Sequence, residues 1–177
     1  MATPSPQAVA NGDIIVLGLD PGSNVTGYGL VAERSGQVRL LEAGTIRTRQ
    51  ADEAAARLAT IFSRVSTLIT AYQPHEAAIE NVFVAHNVAS ALKLGQARGA
   101  ALAACGVHGL AVSGYEPTKV KKSLVGVGRA EKEQVAFMVA QILGQKNPKW
   151  AKDASDALAI AICHLNTRRF NRLTSAS

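Results

Sequence analysis

The sequence predicts an α/β fold built on one five-stranded mixed sheet that is flanked by helices. Residues 14–19 form an apolar run, IIVLGL, which is typical of a buried central strand. The segments 25–33 and 37–47 alternate as strands do, and Ser35-Gly36 between them is a hairpin signal. Beyond them helical and strand patterns alternate, so three antiparallel strands are followed by αβ units. A chain of 177 residues is long enough for one such domain with a real core.

Each later element has a local signal of its own. Apolar residues at helical spacing, and Asn or Pro at helix starts, mark the helices. Short apolar runs bounded by loops mark the two remaining strands. In chain order these elements are a helix at 52–72, a strand at 77–81, a loop at 82–86, a helix from Asn87 to about Ala104 with Gly106 as its stop, a strand at 110–115, helices at 117–125 and 131–143, and a last helix that begins at Asp153.

The two ends of the chain are expected to be disordered tails, over residues 1–12 and 170–177, around a domain at 13–169. The opening MATPSPQAVANG lacks the basic and apolar regions of a signal peptide, and no apolar run has membrane-spanning length. We therefore expect a cytoplasmic protein with no membrane partner. Cys105 and Cys163 fall in apolar helical stretches, which favours buried free thiols over a disulfide.

Positive charge is concentrated in one segment of the chain. The formal net charge is +6, yet residues 1–115 carry eight Lys or Arg against eight Asp or Glu. Residues 116–152 carry eight Lys or Arg against three Glu, a local balance of +5. Such a segment fits a polyanion partner such as nucleic acid, and it equally fits a solvated lysine-rich face.

Four acidic residues lie in or beside apolar runs, where an unpaired carboxylate is costly. Asp20 ends the first strand and Glu80 lies near the end of the fourth, while Asp153 and Asp156 open the last helix three residues apart. If the two strands are parallel neighbours, their carboxylates meet at one sheet edge, where α/β proteins bind ligands. A divalent cation would offset the clustered charge, and oxygen ligands favour Mg²⁺ or Mn²⁺ over Zn²⁺.

Each of these carboxylates also has an ordinary structural explanation. Asp20 fits an Asp-Pro-Gly turn, Glu80 fits an exposed strand end, and Asp153 fits a helix N-cap. Asp156 is harder to explain in this way because it directly precedes the small apolar run ALAIAI. The glycines of GLDPGSNVTGYG do not indicate a dinucleotide site, since a strand and not a helix follows them.

Five motifs together resemble the RuvC family of Holliday junction resolvases. They are LGLDPGSNVTGYGL, IENVF, ALKLGQARGA, VGVGRAEKEQV and DASDALAIAI, in register from about residue 14 to 166. The resemblance implies a ribonuclease H-like fold and an endonuclease that resolves four-way DNA junctions in recombination and repair. It also implies a homodimer formed through the small-residue helix ALKLGQARGAALAACG, with the RuvA–RuvB branch-migration complex as a further partner.

The resemblance assigns roles to the acidic residues. It makes Asp20, Glu80, Asp153 and Asp156 the catalytic and metal-binding set, with two Mg²⁺ or Mn²⁺ ions in each active site. Asp20 would bridge both ions, Glu80 and Asp156 would each hold one, and Asp153 would complete a coordination shell or orient the attacking water. In-line displacement would leave a 5′-phosphate and a 3′-hydroxyl.

Three further residues match positions that the family uses to bind DNA. Lys121 and Lys132 are expected to contact the junction backbone, which gives affinity and register with little sequence readout. Phe83, in the loop after Glu80, is expected to stack on DNA, although a Phe between two valines also fits a core plug under that loop.

Two other functions fit these residues less well than junction cleavage does. An actin-like ATPase or sugar kinase has a similar strand–DPGS–strand start, but needs two such domains and a second phosphate turn. A junction-binding protein without catalysis has no need of the intact carboxylate set. The residues do not indicate which DNA sequence is preferred at the cut.

Overall fold

The structure is a computed structural model that describes residues 12–49, 51–81 and 88–175. Its sheet has five strands, which are β1 (Ile14–Asp20), β2 (Val25–Arg34), β3 (Gln37–Arg47), β4 (Glu76–Glu80) and β5 (Val112–Tyr115). They lie in the order β3-β2-β1-β4-β5. The first three pair antiparallel, whereas β1, β4 and β5 are parallel neighbours. The predicted fold class, with three antiparallel strands followed by αβ units, is therefore confirmed.

Helices cover both faces of this sheet. They are α1 (Ala54–Tyr72), α2 (Val88–Val107), α3 (Pro117–Val125), α4 (Lys132–Ile142) and α5 (Lys152–Thr174). Along β1, Ile15, Leu17 and Leu19 pack into a core with α1 and α2, while Val16 packs into a second core with α3, α4 and α5. Side chains of a strand alternate between the two faces, so a run buried on both sides reads as continuously apolar.

Helix α5 lies unusually close to the sheet because three strand positions opposite it are glycine. A Cβ on Gly18 would lie 2.1 Å from the carbonyl oxygen of Ala157, and one on Gly27 would lie 2.0 Å from that of Asp153. A Cβ on Gly29 would lie 2.6 Å from the side chain of Leu158. These glycines let the start of α5 rest directly on β1 and β2.

Two predicted boundaries are wrong. Helix α2 does not stop at Gly106 but runs through Val107, because the residue that adopts the helix-ending positive φ is Gly109, at +66°. The stretch predicted to be a disordered tail from residue 170 continues α5 through Thr174, whose hydroxyl bonds to the carbonyl of Phe170. This last part of the helix projects into solvent, with Phe170 and Leu173 largely exposed, so it lacks the buried face on which a sequence prediction depends.

The remaining expectations concern the cysteines, the N-terminal tail, the segment after β4 and membrane-spanning helices. Cys105 and Cys163 are buried free thiols, as predicted. The tail at 1–11, the loop at 82–86 and the Asn87 cap lie outside the described residues. Within the described ranges, no helix combines the length and apolar character needed to cross a membrane.

Candidate active site

Asp20 and Glu80 meet at one edge of the sheet. Each is the last residue of its strand, and β1 and β4 pair in parallel with Leu19 opposite Ile79. The carboxyl ends of parallel neighbours lie side by side, so the two carboxylates are adjacent. The predicted juxtaposition of these strand ends is confirmed.

The first turns of α5 bring two more carboxylates to the same edge. Asp153 is the second residue of the helix, and the N-cap position belongs to Ala151, which makes no side-chain capping bond. The interpretation of Asp153 as an N-cap is therefore wrong. Asp156 follows one turn later, and the contact of the Asp153 carbonyl with Gly27 places both beside the strand residue that pairs with Asp20. The positive end of the helix dipole favours their ionised forms.

A cavity of about 260 Å³ gathers most of the predicted site. Its wall includes the carboxylates of Asp20, Glu80 and Asp156 together with the lysines Lys121 and Lys132. Apolar residues of α2, α3, α4 and α5 complete the wall, among them Leu94, Val120, Val135, Ala159 and Ile160. Asp153 does not line this cavity but an adjoining one, which it shares with Asp156 and Lys132.

Burial and nearby carboxylates destabilise the ionised forms of both strand-end residues. Burial, followed by repulsion from Glu80, Asp156 and Asp153, raises the pKa of Asp20 well above its usual range, and Lys132 opposes this shift. Burial and repulsion from Asp156 likewise raise the pKa of Glu80, against Lys132 and a hydrogen bond with Asp20. Like charges crowded into a poorly hydrated cleft favour protonation unless a cation joins them.

Lys132 is the cation that partners this cluster within the protein. Its Nζ lies 3.1 Å from Oδ2 of Asp156. The hydrogen bond to Asp156, and then the charges of Asp156, Asp20 and Glu80, raise the pKa of the lysine. About three quarters of the Lys132 side chain is exposed, so the pair adds little to folding stability and the ammonium is free to contact a ligand.

The donor set fits a hard divalent cation. Carboxylate oxygens from β1, β4 and α5 face one cleft, and Mg²⁺ and Mn²⁺ prefer oxygen ligands. In the part of the chain that the structure describes, no three His, Cys, Asp or Glu side chains already form a closed set of ligands around one point. The carboxylates thus share a cleft with the Lys132 ammonium and would have to converge on an ion.

Arg98 of α2 is a site residue that the sequence pattern did not reveal. Its Nε donates to the backbone carbonyl of Glu80 at 3.1 Å, and its Nη2 donates to Oδ1 of Asn81 at the same distance. The guanidinium thereby holds the end of β4 and the backbone that carries Glu80. The only sequence signal was a long cationic side chain among the small residues of ALKLGQARGA, and that signal does not say where the side chain points.

The residues expected to bind DNA have different outcomes. Lys121 and Lys132 both lie in the wall of the acidic cleft. Phe83 lies outside the described residues, so its stacking role stays a prediction. The neighbouring cations Lys122 and Arg129 of the basic segment are exposed.

Sheet order, strand-end carboxylates and an acidic helix start define a nuclease of the ribonuclease H-like class. The family model for crossover junction endodeoxyribonuclease RuvC matches residues 16–164. The chain belongs to the RuvC family.

Individual relatives agree with this assignment. The crossover junction endodeoxyribonuclease RuvC of Solidesulfovibrio magneticus is 60% identical over 165 residues, which cover 93% of this chain and 97% of that protein. The structure of Thermus thermophilus RuvC matches with a TM-score of 0.83 and 36% identity, covering 89% of this chain and 97% of that one. T. thermophilus RuvC in complex with a Holliday junction substrate matches with a TM-score of 0.85 at the same identity, covering 89% and 96%.

Proposed function

We propose that this chain resolves four-way DNA junctions by metal-dependent hydrolysis of a phosphodiester, in recombination and repair. The observation that carries the proposal is the cleft in which Asp20, Glu80 and Asp156 face Lys121 and Lys132. It lies on a fold that matches T. thermophilus RuvC in complex with a Holliday junction substrate. Acidic groups that bind cations, beside lysines that attract phosphate, suit a phosphodiester substrate.

The four carboxylates are the proposed metal ligands. Enzymes of the RuvC family are metal-dependent, and we propose two Mg²⁺ or Mn²⁺ ions held by Asp20, Glu80, Asp153 and Asp156. Bound there, the ions supply Lewis-acid chemistry at the scissile phosphate. Asp20 would contact both ions, because it lies half-buried at the end of β1 and the charges of the other three carboxylates all raise its pKa. Hydrolysis would leave a 5′-phosphate and a 3′-hydroxyl.

DNA is held by cations at the rim of the cleft and by the loop after β4. Lys132 is largely exposed yet paired with Asp156, so its ammonium can turn to a backbone phosphate beside the metal ligands. Lys121 lies across the same cavity. Phe83 is proposed to stack on a junction base, since it follows Glu80, the last residue of β4, by three positions in the sequence.

A homodimer is proposed through α2. The helix buries one side against the core, at Ala97, Ala101 and Ala104, and exposes small residues on the other. A Cβ on Gly95, or on Gly99, would meet no atom within 4 Å. A two-fold contact there would present two clefts to two like strands of a junction. The RuvA–RuvB complex is the expected partner in branch migration.

The test compares cleavage of a synthetic four-way junction and a linear duplex in the presence of Mg²⁺. The chain is expected to cut the junction only with metal, and Asp20→Asn is expected to abolish cutting while it retains binding. Asp52→Asn is the matched control, because Asp52 is exposed and lies outside the cleft. Junction cleavage by Asp20→Asn at the unmodified rate would overturn the assignment of the site.

A further inference from the structure

A second cavity, of about 430 Å³, adjoins the acidic cleft. It lies between α4 and the residues that lead into α5, and its volume is within the usual range of small-ligand sites. Lys132 and Asp156 line both cavities. A DNA strand whose phosphate lies in the acidic cleft can therefore reach the mouth of this second cavity.

Trp150 forms the aromatic part of the second cavity. It is the only tryptophan of the chain and is half-buried. Trp150 packs against the core that α5 forms with the sheet, and it lines this cavity with Pro148 and Ala136. It also borders a separate cavity with Leu40 and Ala43. A ring that is anchored in the core yet accessible is a rigid platform for stacking, with little entropy left to lose.

The charges around the cavity favour a base over a phosphate. Lys132 and Lys152 contribute two positive charges, whereas Glu133, Asp153 and Asp156 contribute three negative ones. Because Asp153 and Asp156 are proposed metal ligands and Lys132 pairs with Asp156, Glu133 and Lys152 are the charges left to face this cavity, and they cancel, so the wall does not attract a further anion. The Glu133 carboxylate can accept a hydrogen bond from the exocyclic amino group of a base, so this lining suits the neutral part of a nucleotide.

We propose that a DNA base next to the scissile phosphate stacks on Trp150 in this cavity. The proposal rests on the proposed function and deepens it, because it assigns a base subsite beside the phosphate site. Base stacking of this kind depends little on sequence, so the subsite positions the strand for cleavage. Trp150 is thus a positioning residue that acts by fixing the strand.

The first experiment uses the intrinsic fluorescence of Trp150 in the unmodified protein. A fluorescein-labelled four-way junction is titrated in EDTA, where anisotropy records binding without cleavage. Tryptophan emission is expected to be quenched as the junction binds, and its accessibility to acrylamide is expected to fall. Binding with unchanged emission and unchanged accessibility overturns the base subsite and leaves the proposed function standing. Absence of junction binding overturns the proposed function and the subsite with it.

The second experiment removes the ring and the base in turn. Trp150→Ala is expected to slow junction cleavage by about ten-fold, the order of one lost stacking contact, and Trp150→Phe to restore most of that loss. Asn147→Ala is the control, because Asn147 lies in the same linker and lines the other cavity that Trp150 borders, but not the proposed base subsite. Its cleavage rate is expected to match that of the unmodified protein.

Abasic substitutions then distinguish stacking from a structural effect. They are placed singly at each nucleotide that flanks the cut. At one position the abasic junction should slow the unmodified protein by the same factor as Trp150→Ala, and should slow Trp150→Ala no further. Independent, multiplying effects at every position would show that the ring only supports the fold, and would overturn the inference.

Discussion

At the scale of single residues, Asp20 and Glu80 have raised pKa values because the fold buries them and crowds their charges before any cation is bound. A carboxyl whose pKa is higher in the folded than in the unfolded chain stabilises the fold at acidic pH. That stabilisation is complete below the unfolded values, 3.8 for Asp and 4.5 for Glu, and is lost as pH rises through the raised values. The contribution of these two carboxyls to the stability of the metal-free protein should therefore fall between pH 4 and neutrality.

Removal of one charge from the acidic cleft is therefore expected to stabilise the fold of the metal-free protein. In EDTA at pH 8, Asp20→Asn should melt at a higher temperature than the unmodified protein, and near pH 4 the difference should shrink. Thermal unfolding followed by circular dichroism at both pH values measures this. Addition of Mg²⁺ should raise the melting temperature of the unmodified protein more than that of the variant. A variant less stable than the unmodified protein at pH 8 would contradict the proposed crowding.

Arg98 supports the site without lining it. Arg98→Met keeps the length of the side chain but removes both donors, and leaves the Glu80 carbonyl and the Asn81 side chain without these bonds. We expect a loss of about 1–3 kcal/mol in the free energy of unfolding, and a lower cleavage rate with little change in junction affinity. Arg98→Lys keeps the charge but not the two-donor fork, so it should recover little of the rate. Full activity in Arg98→Met would show that β4 holds Glu80 unaided.

At the scale of elements, the seating of α5 on the sheet controls the geometry of the site. Gly27→Ala would place a Cβ 2.0 Å from the Asp153 carbonyl oxygen, so the start of α5 must move away from β2. The expected cost is about 1–3 kcal/mol of overpacking in urea unfolding, together with a fall in kcat, because Asp153 and Asp156 move with the helix. Gly128→Ala is the control for stability, since its nearest neighbour would lie at 3.4 Å. Unchanged stability in Gly27→Ala would refute the close seating.

The same seating shows how far the sequence could predict the elements. Strand β3 and helix α3 have the predicted bounds, because hairpin and proline signals act locally. The sequence could also predict that Asp20 and Glu80 end their strands and that Asp156 lies in the early part of α5, because those signals are local too. The purpose of Gly27 could not be predicted, since its partner lies more than a hundred residues further along the chain. Gly106 misled the prediction because it keeps a helical conformation, and the glycine that adopts a positive φ after the helix is Gly109.

At the scale of the whole molecule, one chain supplies one cleft, whereas resolving a junction requires two cuts. In the proposed homodimer, the two-fold axis that relates the cuts would relate two copies of this chain. Of the surfaces in the described part of the chain, the outer side of α2 combines glycines open to solvent with exposed apolar residues, Val88 and Leu92 among them. Arg98, which holds the end of β4, belongs to the same helix. Helix α2 therefore connects the proposed dimer contact with the acidic cleft.

Leu92→Glu is therefore expected to prevent dimerisation while each monomer keeps its ability to cut one strand. Leu92 is 63% exposed on α2, and a buried glutamate at a two-fold contact would face its own symmetry mate or an apolar wall. Analytical ultracentrifugation should show a monomer, and junctions should be nicked in one strand without the paired second cut. Leu173→Glu is the matched control, because Leu173 is 69% exposed at the far end of α5 and should leave the dimer intact. If Leu92→Glu remains a dimer and still makes paired cuts, the interface does not lie on this side of α2. If it loses all nicking, the dimer is needed to form the cleft itself.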